Sequence, residues 1–168
     1  MEKLSVFVSR PNDLTSVQRA TWESVENFLR HRSLMPRIIG STDFPNGPPL
    51  EAVVQVMRRC HGAIILGFRQ MLVRDGAYKF STEKEQVATG VYLPTPWNQI
   101  EAGIAYQLGL PLLIVKEEGI SGGVFDIGST GGYIHQFDFS SGDWIDDDRF
   151  IQPFTEWYAQ ALRRSRTE

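Results

Sequence analysis

Short apolar runs alternate with amphipathic segments along almost the whole chain, and this alternation restricts the fold more than any other feature. The apolar runs suit strands buried on both faces of a parallel sheet, and they cover residues 4–9, 36–40, 61–68, 110–116 and 132–138. Helical spacing and capping signals predict helices over residues 15–32, 50–59, 95–108 and 150–164. The alternation predicts one α/β domain with a doubly wound, flavodoxin-like sheet of five parallel strands in the order 2-1-3-4-5, with helices on both faces.

Size, composition and charge fit a single globular domain over residues 1–168. The chain is 42% hydrophobic and 22% charged, and no repeat or boundary interrupts it. A formal net charge of -3 and scattered basic residues argue against nucleic acid as a partner. No apolar run approaches the ~20 residues that span a bilayer, and the first residues lack a signal-peptide pattern. We therefore expect a cytoplasmic protein with no membrane partner.

Two connections are unusual for such a fold. Residues 69–94 form a long, polar and weakly patterned segment, and loops of that length are typically lids or other functional segments. Tyr78 within it is a candidate to stack on a base. Residues 117–131 are glycine-rich, but they follow the fourth strand and open no clear helix, so they do not form a dinucleotide fingerprint. The lone Cys60 is expected to be a buried apolar side chain, and no spacing indicates a metal site.

The predicted helix that starts at Thr95 carries the sharpest chemical signal. Trp97 and Glu101 are four residues apart, so they share one face of the helix. The helix starts near the switch point between strands 1 and 3, where such sheets bind ligands. An aromatic ring beside a carboxylate suits a glycosyl group, because the anion faces the positive charge that develops on the sugar. A structural role stays open, since a glutamate can complement the helix dipole and a tryptophan can belong to the core.

Further candidates for substrate binding follow strands 1 and 3. Arg10 and Arg69 can bind a pyrophosphate by paired hydrogen bonds. Ser9 can contact a substrate through its hydroxyl group, and Phe68 can line a pocket. Each also has an ordinary structural alternative, as a solvated arginine, a turn serine or a core phenylalanine.

Three segments resemble Toll/interleukin-1 receptor (TIR) domains. Val6 to Ser9 is similar to the phenylalanine–aliphatic–serine opening of that family, and residues 43–49 lie where it has its variable loop after strand 2. Trp97 to Glu101 matches the tryptophan–three–glutamate motif of NAD-cleaving TIR enzymes. The order of elements agrees over nearly the whole chain, although the connection 69–94 is longer than usual.

The TIR resemblance implies an NAD glycohydrolase or ADP-ribosyl cyclase, with NAD as substrate and no cofactor. Glu101 would be the catalytic residue, and the substrate would be bound by Trp97, Ser9, Arg10, Phe68, Arg69 and Tyr78. The resemblance further implies self-association. It also suggests, as in stand-alone bacterial TIR proteins of antiviral defence, a signalling nucleotide that acts on a separate effector protein.

Residues 101–111 also resemble nucleoside 2-deoxyribosyltransferases, whose glutamate-x-glycine-x-alanine helix runs into the next strand. In that family the glutamate is the nucleophile on the sugar. Both resemblances imply cleavage of an N-glycosidic bond at Glu101, but they differ in the substrate. A non-catalytic interaction module or nucleotide sensor is a third alternative.

Overall fold

A computed structural model of the chain describes residues 3–130, 132 and 134–167. Its strands and helices follow in the order β1 (Leu4–Ser9), α1 (Ser16–His31), β2 (Leu34–Arg37), α2 (Pro49–Met57), β3 (Ala63–Gly67), β4 (Met71–Val73), β5 (Ala77–Tyr78), β6 (Gln86–Val87), β7 (Val91–Leu93), α3 (Pro96–Gln107), β8 (Leu112–Glu117), β9 (Ile134–Phe137) and α4 (Asp148–Arg164). Two short 3₁₀ helices cover Gly123–Phe125 and Trp144–Asp146. None of the helices in the described residues has the length and hydropathy needed to cross a lipid bilayer.

Five parallel strands form the central sheet in the order β2-β1-β3-β8-β9. This is the predicted flavodoxin-like order, with β8 and β9 as the fourth and fifth strands. The predicted fifth strand includes Tyr133, which lies outside the described residues. Because the chain leaves β1 on one side and β3 on the other, the carboxyl ends of these two strands border the switch point.

The two faces of the sheet are covered by different helix pairs. Val6 and Val8 of β1 pack in one apolar cluster with side chains of α1 and α4, whereas Phe7 packs with α2 and α3. Successive side chains of a strand point to opposite faces. Ser9 therefore shares the face of Phe7, under α2 and α3.

Helix α3 begins as the sequence predicts. Thr95 is its N-cap residue, and the Thr95 hydroxyl accepts a hydrogen bond from the backbone N–H of Asn98 at 3.2 Å. Pro96 occupies the first helical position, where a missing N–H has no cost. Gly109 follows the helix with φ of 64°, a conformation that favours glycine. These signals fix where the helix starts, and with it the place of Glu101 at the edge of the sheet.

The connection between β3 and α3, which the sequence analysis describes as long and weakly patterned, contains regular structure. It forms two short antiparallel ladders, in which β4 pairs with β7 and β5 pairs with β6. Strands of two or three residues are too short for alternation to show in the sequence, which explains the missed strands. The segment leaves the sheet at Gln70 and returns at Thr95, and Gln70 N–H donates to the carbonyl of Leu93 at 2.9 Å.

Candidate functional site

A cleft of about 300 Å³ opens at the carboxyl ends of β1 and β3. Its wall is formed by the turn after β1, the segment after β2, the start of α2, the residue that leads into β4, and the first turns of α3. The polar part of the wall includes Arg10, Asn12, Asp13, Gln70 and Glu101. The volume lies at the lower end of the range for small-molecule sites.

Glu101 lies at the inner side of this cleft with only 8% of its surface exposed. Burial raises the pKa of its carboxyl group to about 7, and a hydrogen bond from the Ser9 hydroxyl acts in the opposite direction. No acidic residue occupies the first turn of α3, so Glu101 is beyond the turn in which the helix dipole acts strongly. A carboxyl group near its midpoint at neutral pH can serve as base, nucleophile or electrostatic stabiliser.

Trp97 is one turn before Glu101 on the same helical face, as the spacing predicts. Both residues line the cleft, and the Trp97 side chain is 44% exposed. Such exposure is unusual for a core tryptophan. The ring is thus available to contact a ligand above the Glu101 carboxyl group.

Arg10 also lines the cleft and is half-buried. Its guanidinium lies 4.7 Å from the ring centre of Trp22 and donates to the carbonyl of Pro11 at 2.7 Å. Burial lowers the pKa of Arg10 below its ordinary value. The group is therefore held in place by its neighbours, and it supplies a cation to the wall that can bind an anionic part of a ligand.

Phe68 does not line the cleft, although the sequence makes it a candidate. It is fully buried on the opposite face of the sheet, where its ring meets Phe139 edge-on at 5.4 Å between ring centres. The cause is strand alternation, because Phe68 shares the face of Ile64 and Leu66 rather than that of Ser9. Phe68 directly follows β3, whose carboxyl end borders the switch point, but its side chain points to the other face of the sheet.

Arg69 and Tyr78 also lie away from the cleft wall. The Arg69 side chain donates to the carbonyl of Glu118 at 2.7 Å, and its guanidinium lies over the ring of Tyr92 at 4.5 Å. Tyr78 is exposed on β5, in the outer ladder. These contacts hold the Arg69 side chain against β7 and the end of β8. Tyr78 lies far along the long connection between β3 and α3, in a ladder that is exposed to solvent.

Asn98 is a site residue that the sequence does not reveal. It is fully buried, and its side-chain amide donates to the Ser9 hydroxyl oxygen at 2.8 Å. An asparagine in the first turn of a helix is usually a surface or capping residue, so its type and position gave no signal. The structure places it between the strand and the helix that carry Ser9 and Glu101.

Apolar residues from the β2–α2 region complete the wall, and they were also not predicted individually. Ile39 precedes the loop at residues 41–49, and Pro49 and Val53 belong to the first turns of α2. The sequence indicates that this loop borders the site, but it does not show which side chains turn inward. Among the described residues, no group of three or more His, Cys, Asp or Glu side chains is arranged to hold a metal ion.

No model of a protein family matches this chain, and no curated protein sequence matches it. What the site does is therefore inferred from its chemistry and from the residue motifs described above.

Proposed function

We propose that this chain cleaves the bond between nicotinamide and ribose in NAD, with Glu101 as the catalytic residue. The observation that carries the proposal is a buried carboxyl group that forms no ion pair with any of the described residues, placed in a cleft at the switch point of the sheet. Among the described residues, Glu101 is the only acidic residue that is buried. An uncompensated carboxylate costs free energy when buried, and such groups concentrate at functional sites.

A developing positive charge would offset this cost during the reaction. As the C1′–N bond of NAD breaks, its electron pair leaves with nicotinamide, and the ribose becomes an oxocarbenium-like cation. The Glu101 carboxylate would stabilise that cation in a site with little water. Water then adds to C1′ and releases a proton, giving ADP-ribose, or a ring nitrogen of the adenine adds instead and gives a cyclic product.

The other cleft residues have complementary roles in this proposal. The exposed face of Trp97 would stack on the nicotinamide ring or shield the reacting carbon from water. Arg10 would bind the pyrophosphate, because its guanidinium is the cation of the cleft wall. We further propose that the protein acts as an assembly of copies and that its product acts on a separate effector protein, as the TIR resemblance implies.

The volume of the cleft favours one other candidate. A space of about 300 Å³ suits a nucleoside or one half of a dinucleotide better than a whole dinucleotide. In a nucleoside 2-deoxyribosyltransferase-like reaction, Glu101 would attack C1′ of a deoxynucleoside, release the base and pass the sugar to a second base. Both candidates need an ionised Glu101, but they differ in the substrate and in whether Glu101 stabilises the sugar cation or attacks C1′.

The test is incubation of the purified protein with NAD, with nicotinamide release and products followed by chromatography. We expect release that is lost in Glu101→Gln and kept in Glu156→Gln, a matched change at an exposed glutamate of α4. The absence of release, also at concentrations that favour self-association, would refute the NAD proposal. Deoxynucleosides with a free acceptor base then test the second candidate, and if they too stay intact, a non-catalytic nucleotide-binding or interaction module replaces both.

A further inference from the structure

Two side chains hold the backbone at the point where it leaves the central sheet after β3. Gln18 is only 2% exposed, and its Nε2 donates to the carbonyl oxygen of Arg69 at 3.0 Å and to Glu117 Oε2 at 3.1 Å. Glu117 Oε2 also accepts from the backbone N–H of Arg69 at 2.8 Å. The N–H and the carbonyl group of Arg69 are therefore both fixed, the first by the end of β8 and the second by α1.

The orientation of the Gln18 amide follows from its partners. Gln18 Oε1 accepts from the backbone N–H of Thr15 at 3.2 Å, in the capping box that begins α1. The amide nitrogen meets only acceptors and the amide oxygen meets a donor, which determines the assignment of the two atoms. Gln18 and Glu117, which we call the clamp, thus join α1 to β8 across the first residue of the long connection.

The next residue, Gln70, lines the cleft. Its Nε2 donates to the backbone carbonyl of Asp13 at 3.3 Å and to that of Arg69 at 3.5 Å. Carbonyl oxygens can only accept, so the amide nitrogen must face them. Among the described residues no donor is bonded to Gln70 Oε1, and this oxygen is left as an acceptor for a ligand in the cleft.

The position of Gln70 indicates which part of a ligand it meets. Asp13, which holds the Gln70 amide, belongs to the same turn as Arg10, the cation that would bind the pyrophosphate. Trp97, which would contact nicotinamide, belongs to α3 instead. In NAD the ribose joins the pyrophosphate to nicotinamide, and its two hydroxyl groups can donate hydrogen bonds. A hydroxyl group of that ribose therefore fits Gln70 Oε1.

We propose that Gln70 is a specificity-determining residue whose amide oxygen accepts a hydrogen bond from a hydroxyl group of the ribose next to the bond that breaks, and that the clamp positions it. The identity of the ligand in this inference rests on the proposed function. The clamp matters because a hydrogen bond weakens steeply when its geometry is poor. By fixing Arg69, it separates the position of Gln70 from that of the ladders that follow.

A structural role alone does not account for the Gln70 side chain. Gln70 is exposed, and its side-chain hydrogen bonds of 3.3 and 3.5 Å are longer than the usual range. Such contacts contribute little to the stability of the fold. Gln70→Ala should therefore leave the free energy of unfolding nearly unchanged, so its effect on a ligand can be measured in a folded protein.

The test measures the binding of NAD and of two analogues in which hydrogen replaces the 2′ or the 3′ hydroxyl group of the nicotinamide ribose. Calorimetry on the full chain with Glu101→Gln gives dissociation constants without turnover. A neutral hydrogen bond corresponds to about two- to tenfold in affinity, so Gln70→Ala should weaken NAD binding by that factor. The analogue that lacks the contacted hydroxyl group should bind equally with and without Gln70→Ala. Gln160→Ala, the same change at an exposed glutamine of α4, should have no effect.

Two results would overturn the proposal. Equal weakening of NAD and of both analogues by Gln70→Ala would place the contact on another part of the ligand. An unchanged affinity for NAD in Gln70→Ala would show that the amide oxygen makes no contact.

A second pair of variants tests the clamp. Glu117→Ala should weaken the binding of NAD more than that of the analogue, and adding it to Gln70→Ala should reduce the discrimination no further. A clamp with a structural role only would weaken both ligands by the same factor, which would refute the positioning role. If Glu117→Ala does not fold, Glu117→Gln keeps the shape and replaces the charged acceptor of the Arg69 N–H by a weaker neutral one. The discrimination should then change in the same direction.

Kinetics of the chain with Glu101 intact distinguish failure of this inference from failure of the proposed function. The ratio of kcat/KM for NAD to that for the analogue should fall in Gln70→Ala, and comparing this ratio between proteins cancels the different reactivities of the two substrates. Discrimination in binding without release of nicotinamide would leave the sugar contact standing and remove the proposed function. Release of nicotinamide with an unchanged ratio would do the reverse, and a chain that neither binds nor cleaves NAD would remove both.

Discussion

Replacing Glu101 by glutamine should make the folded protein more stable at neutral pH. The glutamine has nearly the same shape and keeps an oxygen that can accept from Ser9, but it cannot ionise. The carboxyl group of Glu101 is almost fully buried, and this burial raises its pKa from the ordinary 4.5 to about 7. The folded chain therefore holds the proton more strongly than the unfolded chain, and ionisation weakens the fold.

The size of the effect follows from the difference between these pKa values. Each tenfold difference in proton affinity corresponds to about 1.4 kcal/mol, so ionised Glu101 lowers the free energy of unfolding by about 3 kcal/mol. The pKa of Glu101 is higher in the folded chain than in the unfolded chain, which determines the sign of the effect. Below about pH 4.5 both states are protonated and the free energy of unfolding is not reduced, whereas it falls as the pH rises toward 7. The advantage of Glu101→Gln should thus grow from near zero at pH 4.5 to about 3 kcal/mol at pH 8.

Urea unfolding at several pH values between 4.5 and 8 measures this difference, and thermal unfolding gives an independent readout. For a chain of this size the full effect corresponds to roughly 6–12 °C in Tm. Glu156→Gln controls for the loss of a negative charge, because Glu156 is exposed on α4. A difference that stays constant with pH, or a Glu101→Gln protein that is less stable at pH 8, would contradict the reasoning.

Three further predictions concern the cleft and the core. If NAD is the substrate, kcat/KM should rise with pH to a plateau with a midpoint of about 7, because the ionised Glu101 is the active form; a flat profile from pH 5 to 9 would contradict this. Trp97→Ala should lower kcat/KM about tenfold while costing less than about 1 kcal/mol in urea unfolding, because Trp97 is 44% exposed and its ring would stack on the ligand. Gly67→Ala should lower the free energy of unfolding by about 1–3 kcal/mol, because the new Cβ would lie 2.4 Å from the buried ring of Phe125. Gly103→Ala in α3 should raise it by about 1 kcal/mol, because its new Cβ would meet open space. Urea unfolding of the two variants checks both signs.

The strands and helices of the central layers were predictable because their signals are local. β1 and the start of α3 agree with the sequence prediction, since an apolar run and a Thr-Pro cap each contain the necessary information. The segment between β3 and α3 behaves differently. Its ladders depend on pairing between separate stretches of chain, such as Met71 with Leu93 and Ala77 with Val87, and no single strand has enough residues to show a period.

The site was predictable where one element determines the geometry, and unpredictable where two elements must combine. Trp97 and Glu101 share a face of one helix, so their spacing alone places them together. Phe68 lies away from the cleft because the face to which its side chain points depends on the alternation that continues from β3, and the sequence does not show which face carries the cleft. The sequence does not predict Asn98 as a site residue for the same reason. Its link to the site is a hydrogen bond to Ser9, which is 89 residues away in sequence.

A structural and a functional role for Glu101 predict opposite signs in the same stability experiment. A glutamate that holds the fold together would do so as an anion, through a cation or a helix start, and its neutralisation would weaken the protein. Glu101 is beyond the first turn of α3, and among the described residues it forms no ion pair. Burial therefore makes its charge a cost to the fold, which the Ser9 hydrogen bond reduces without removing. A carboxylate that is costly at rest can be stabilised when a positive charge forms beside it, so a gain in stability on Glu101→Gln would favour a catalytic role before any substrate is known.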